Sequence, residues 1–293
     1  MPPRASVQSW VLLVTLSLIW GTSFMANKIA VAEIPPATVV AGRLAMAALI
    51  LVAAVPMAGL RMPGRSRLWA WFLAMALVGN TVPFFLITWG QETVDSGLAG
   101  ILMAVMPLST MVLAHFLVDG ERMTRNRGAG FAVGFIGIIV LMGPGALRQL
   151  GGSSGELVRQ LAILSGAVCY AVNTIIARRM PETDPLLTSA GTLALGTLMI
   201  LPLSLIMDRP WEIHISAQAA LAVGYLGIAS TAAAIFIYYR IIADAGATFV
   251  SQMNYLIPVV AACVGVAVLG ENLGGAAAFA LGMILFGIAL SRR

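Results

Sequence analysis

Trp20, Ser23 and Asn27 stand three and four residues apart, the spacing that lines side chains along one face of a helix. Tyr170 and Asn173 repeat that arrangement about 150 residues later, with Thr174 beside them. Asn80, Phe84 and Thr88 make a further face, and Ser230 with Tyr238 occupies the corresponding places in the second half. Met103 and Met106 precede Pro107, while Gln252, Asn254 and Tyr255 precede Pro258. Aromatic rings, thioethers and amides are groups that recognise a solute and do not transform it. Together they suit a neutral or zwitterionic small molecule with an apolar side chain. Catalysis would need a nucleophile with its base, or a metal set. The only histidines are His115 and His214, no two-histidine motif occurs, and no cofactor is expected.

These side chains are set in an apolar background that fixes the solvent. Apolar residues make up 60% of the 293 and charged residues 10%, and the mean hydropathy is +0.95, so the chain cannot clothe itself for water. Runs of about 20 apolar residues select membrane helices over a barrel, whose strands would alternate in segments of about 10. Ten spans are expected, at about 10–30, 36–58, 68–90, 96–118, 126–144, 158–178, 186–207, 217–240, 246–269 and 273–291. Inside such spans an amide must face protein or water, which is why Asn80, Asn173, Gln252 and Asn254 stand out. The bland reading of each is that it links helices to one another.

The chain also repeats itself. Trp20 falls on Tyr170, Asn80 on Ser230, Pro107 on Pro258, Gly120-Glu121 on Gly270-Glu271 and Gly137 on Gly287. A first repeat over 1–150 and a second over 151–293 are therefore expected, joined at the flexible Gly151-Gly152-Ser153-Ser154-Gly155. Orientation follows from the basic residues: Arg61, Arg65, Arg67, Arg122, Arg125, Arg127, Arg178, Arg179, Arg240, Arg292 and Arg293 fall on the side of the N-terminus, which places both termini in the cytoplasm. Five spans per copy then make the repeats antiparallel, an all-α integral membrane fold of two inverted five-helix repeats with a substrate site between them. The net charge of +5 is explained by that topology, so no nucleic-acid partner is expected; the partners are a small-molecule substrate and the bilayer, and the protein is read as a monomer. Pro107 and Pro258, paired near mid-membrane, are the expected hinges. The first apolar run is read as a span and not a cleaved signal peptide, because its partner in the second copy is internal. Cys169 and Cys263 are read as packing residues.

All twelve carboxylates fall at span ends or in loops, so none is placed to exchange a proton for a cationic substrate at mid-membrane. Arg43 is different. It lies about two turns into the second span, where it must either pair with a carboxylate or carbonyl or reach the cavity. Its repeat counterpart is Thr192. Lys28 is expected to snorkel to the outer interface.

With Trp20-Gly21 followed by Ser23, Phe24 and Asn27, Arg43, Pro107, Pro258, Leu-Gly-Glu at 269–271 and its counterpart Asp-Gly-Glu at 119–121, the chain resembles the drug/metabolite transporter superfamily, specifically its ten-helix exporters with two EamA-like repeats. The likeness covers nearly the whole chain and extends to bacterial exporters of aromatic and other amino acids. It implies the bacterial inner membrane, export of small metabolites, and a substrate chamber at the centre of the two repeats. The residues read above as its lining, Trp20, Ser23, Asn27, Arg43, Asn80, Phe84, Met103, Tyr170, Asn173, Tyr238, Asn254 and Tyr255, are the expected substrate contacts. The alternative cargo is a drug or toxic organic cation held by cation–π contact. Glu121 and Glu271 are expected to bind helix ends or loops across the repeat.

Overall fold

Away from water every amide must be bonded within the chain, and long runs of Leu, Ala, Val and Ile do this by coiling into helices. The computed structural model describes residues 6–117, 124–149, 155–245, 249, 252–272 and 274–291. The Asp119-Gly120-Glu121 segment, the linker at 151–154 and the side chain of Tyr255 lie outside the described residues. Among the described residues the regular structure is all helical.

Helix α1 is Val7–Val31 and α2 is Pro36–Met57. α3 (Leu68–Ala76) passes through a π-turn at Leu77–Thr81 into α4 (Val82–Gly90). α5 (Ser96–Met103) breaks at Ala104 and resumes as α6 (Val105–Leu117). α7 is Arg125–Gln149, α8 Gly155–Arg179 and α9 Pro185–Leu203. α10 (Ala217–Gly227) passes through a π-turn at Ile228–Ala233 into α11 (Ala234–Ala245), and α12 (Met253–Leu269) and α13 (Gly275–Ser291) follow. Among the described residues seven helical rods are long and apolar enough to cross a membrane, namely Val7–Val31, Pro36–Met57, Leu68–Gly90, Ser96–Leu117, Gly155–Arg179, Pro185–Asp208 and Ala217–Tyr238. Three shorter apolar segments accompany them, Gly128–Gly137, Leu256–Leu269 and Gly275–Leu290.

The helix boundaries have chemical causes. Ser6 and Ser216 accept from the backbone N–H three residues on, Asp184 caps α9 through Leu186, and Pro36 and Pro185 occupy first-turn positions where a missing N–H costs nothing. Pro107 cannot bond the Met103 carbonyl, and the rod breaks at Ala104, close to one turn upstream. Pro258 instead sits inside α12, five residues after its start. Gly270 closes α12 with φ +68°, a left-handed conformation that a side chain would strain.

Packing joins one half of the chain to the other. α2 lies against α9 through Ala41, Leu44, Ala47 and Leu193, and α7 lies against α13. α1 packs on α11 and α12, while α8 packs on α4 and α6, which are the same neighbours moved by about 150 residues. At the α7–α13 contact a Cβ on Gly287 would stand 2.5 Å from the Gly130 carbonyl, so glycine lets the backbones meet. The outer surface carries large bare side chains such as Phe116, Leu221 and Phe236, which only lipid accommodates.

One end of the bundle is tied by carboxylates set on helix starts, where N–H groups are free and the dipole is positive. Glu33 accepts from the Ser216 N–H and hydroxyl, both at 2.8 Å. Asp208 accepts from the Thr38 N–H at 2.9 Å and its hydroxyl at 2.8 Å. Glu271 accepts from the N–H groups of Ser96 at 2.7 Å and Gly97 at 2.8 Å, so it binds a helix end in the other half of the chain. These bonds hold the Glu33 carboxyl below the usual carboxylate range, whereas burial followed by the nearby Glu271 raises that of Asp95. Lys28 sits at this end too. Its ammonium donates to the carbonyls of Gln91 at 2.9 Å and Val94 at 3.1 Å, just past the end of α4.

Candidate binding cavity

The two π-turns prepare the site. A wide turn leaves carbonyls without their usual helical partner and turns side chains out of register, and both turns fall at matching places in the two halves. In the second, the Ser230 carbonyl accepts from Trp20 Nε1 at 3.0 Å, and the Leu226 carbonyl accepts from the Thr231 hydroxyl at 2.8 Å. With its proton so engaged, Thr231 Oγ1 can only accept, and it accepts from Arg43 Nε at 2.8 Å. The Arg43 guanidinium also lies over the Phe84 ring, 3.8 Å from its centroid. The first π-turn places Gly79 against Asn173, where a Cβ would come within 2.6 Å of the Asn173 amide.

Between these turns lies a cavity of about 380 Å³. Its apolar wall is formed by Trp20 against Tyr238 (centroids 5.8 Å apart), Phe84 edge-on to Tyr170 (6.2 Å), Met103 and Met106. Ser23, Asn27, Arg43, Asn80, Asn173, Asn254, Pro107 and Pro258 also line it. The faces expected from helical spacing therefore meet around one space, drawn from both halves of the chain. The side chain of Tyr255 is outside the described residues.

The polar groups in that wall fall into two kinds. At one end Thr88 Oγ1 donates to Asn27 Oδ1 at 3.0 Å, Asn27 Nδ2 donates to Gln91 Oε1 at 2.8 Å, and Gln91 Nε2 donates to the Phe24 carbonyl at 2.9 Å. Asn27 thus lines the cavity with its amide taken up by protein. Ser23 is also engaged, donating to the Trp20 carbonyl at 2.6 Å. Elsewhere the polar groups are open. Among the described residues the amides of Asn80 and Asn254 have no hydrogen-bond partner, and Asn173 Oδ1 and Ser230 Oγ are buried without one. Arg43 has no carboxylate partner among the described residues, and its guanidinium is the only fixed charge among the lining residues.

Three contributors escape a reading by periodicity. Gln91 follows the last residue of α4, where an amide reads as an interface residue, yet it is fully buried. Thr188, Ser189 and Thr192 come from α9, whose sequence shows no aromatic or amide on that face. Thr231 carries no such signal: the partners expected for a buried Arg43 are a carboxylate or a carbonyl, and the structure supplies a hydroxyl.

Two stretches, 8–143 and 159–293, each match the model of the EamA-like transporter family. The chain belongs to that family. Among EamA-like relatives, the Escherichia coli K12 protein called "Uncharacterized inner membrane transporter YedA" is 27% identical over 282 residues, covering 95% of this chain and 88% of that one. The "Probable terminal-alkyne amino-acid exporter" of Streptantibioticus cattleyicolor is 28% identical over 99% of this chain and 97% of its own length. The "Uncharacterized transporter YoaV" of Bacillus subtilis is 23% identical, over 85% and 84%. A solved crystal structure shares the fold, with a TM-score of 0.68, 22% identity and coverage of 97% and 96%.

Proposed function

We propose that this membrane transporter exports small metabolites, foremost amino acids with bulky apolar or aromatic side chains, across the inner membrane of a bacterium. The observation that carries this reading is the cavity itself: about 380 Å³, walled by aromatic rings and methionines, with amides and one guanidinium for the polar end of a solute. The contacts proposed are Trp20, Ser23, Asn27, Arg43, Asn80, Phe84, Met103, Tyr170, Asn173, Tyr238 and Asn254, which line it, and Tyr255, whose side chain lies outside the described residues. The names of relatives as an inner membrane transporter and an amino-acid exporter agree with it.

The mechanism is alternating access between two inverted five-helix repeats, 1–150 and 151–293, with ten spans and both termini cytoplasmic. Two matches to the family model and the exchange of helix neighbours under the 150-residue offset support that symmetry. Pro107 and Pro258 are the hinges around which the repeats rock.

Proteoliposomes preloaded with unlabelled phenylalanine are expected to accumulate labelled phenylalanine by counterflow, and less of it with Trp20→Ala. Absence of counterflow across a panel of labelled amino acids would sink the proposal. Efflux of amphipathic cations is the second reading, drawn from the same aromatic wall. The Arg43 charge in that wall argues against it. Growth protection against such cations without amino-acid flux would reverse the order.

A further inference from the structure

Arg43 is held as if to present its far edge. Thr231 fixes Nε at 2.8 Å, Phe84 supports one face of the guanidinium at 3.8 Å, and the two terminal nitrogens have no acceptor among the described residues. A guanidinium inside an apolar bundle is costly unless a counter-charge meets it, and its planar pair of N–H groups matches the two oxygens of a carboxylate. Among the described residues no Asp or Glu lines the cavity. A solute's ammonium therefore finds only neutral acceptors, such as Asn173 Oδ1, and the faces of Trp20 and Tyr170. The balance of charge in the cavity favours an anion over a zwitterion and disfavours a cation.

Resting on the reading of this cavity as the transport site, we infer that what it recognises is an organic monocarboxylate, anchored by Arg43 and positioned through Thr231, for which the α-ammonium of an amino acid is dispensable. The aromatic and methionine wall takes the apolar body. Asn80 and Asn254 supply hydrogen bonds to whatever polar group lies beyond it.

Thermal-shift titration of the purified full-length protein in a sulfate buffer free of chloride and of carboxylates separates the charge states of one skeleton: L-phenylalanine, 3-phenylpropionate and phenethylamine. Expected is an affinity for 3-phenylpropionate at least equal to that for phenylalanine. Phenethylamine binds about 10- to 100-fold more weakly, the value of one charge-assisted pair. Arg43→Gln abolishes the difference, Arg43→Lys restores part of it, and Thr231→Val weakens both carboxylates without changing the order. Binding of phenethylamine as tight as that of 3-phenylpropionate overturns the inference while leaving amino-acid export intact. Tight 3-phenylpropionate binding with no flux of any amino acid supports the anchor and fails the export reading instead. Equal affinities for all three ligands, with melting raised by chloride alone, make Arg43 a charge compensated by halide and also overturn it.

Discussion

Asn27 and Asn254 are both asparagines inside a membrane bundle and both line the same cavity, yet they are differently employed. Asn27 sits in a chain running from Thr88 to Gln91 and the Phe24 carbonyl, with Lys28 fastened to the Gln91 carbonyl just outside. Each side chain there answers to another part of the protein. Asn254, Asn80 and the far edge of Arg43 answer to none among the described residues. A polar group in hydrocarbon must be satisfied by something. Where the protein supplies the partner, the group is holding helices together; where it does not, the solute or its water supplies it. Residue type alone does not distinguish the two cases, and hydrogen-bond bookkeeping does.

Substitutions should separate these regions in opposite senses. The largest effect is expected from Arg43→Gln: affinity for a carboxylate ligand falls about 10- to 100-fold, while the melting temperature without ligand is unchanged or rises, because an uncompensated charge has been removed. A clear fall in stability without loss of affinity would place Arg43 with the structural set. Next comes Gln91→Leu, which strands Asn27 Nδ2 and the Phe24 carbonyl. It should cost about 1–2 kcal/mol in detergent denaturation, given the modest worth of polar contacts in bundles, and leave ligand affinity within about threefold. Glu271→Gln removes the charge from the start of α5 and is expected to cost about 0.5–1 kcal/mol. The smallest change concerns Glu33, whose carboxyl lies below the usual range because Ser216 donates to it twice. That contribution is present at neutral pH and disappears as pH falls through the lowered value. Glu33→Gln should therefore flatten the acid limb of the melting curve slightly, and an unaltered limb would deny the contact any role.

Much of this was legible from spacing. The faces carrying Trp20, Ser23, Asn27, Asn80, Phe84, Tyr170 and Asn173 could be drawn because helices have a fixed pitch and polar residues are scarce in an apolar run. The offset of about 150 residues marked the matching positions Pro107 and Pro258, and it placed Arg43 against Thr192. The offset did not show the π-turns. Nothing in Leu77-Val78-Gly79-Asn80-Thr81 or in the segment from Ile228 to Ala233 distinguishes a wide turn from an ordinary one, since the choice is settled by tertiary packing. The Arg43–Thr231 bond, 188 residues long in sequence, depends on one of those turns and was hidden with it. Whether Asn27 faces a solute or a neighbour was equally beyond periodicity, because its answer is Gln91, one residue past a helix end.

If the cavity is the transport site as proposed, the open polar groups serve the solute and the closed ones serve the fold, a division that one comparison checks. It is tested most directly by initial rates of labelled phenylalanine counterflow into proteoliposomes holding equal amounts of the native protein, Gln91→Leu and Arg43→Gln. Near-native rates are expected for Gln91→Leu below its melting point, and little or no counterflow for Arg43→Gln. Native rates for Arg43→Gln, or equal losses in both variants, would contradict it.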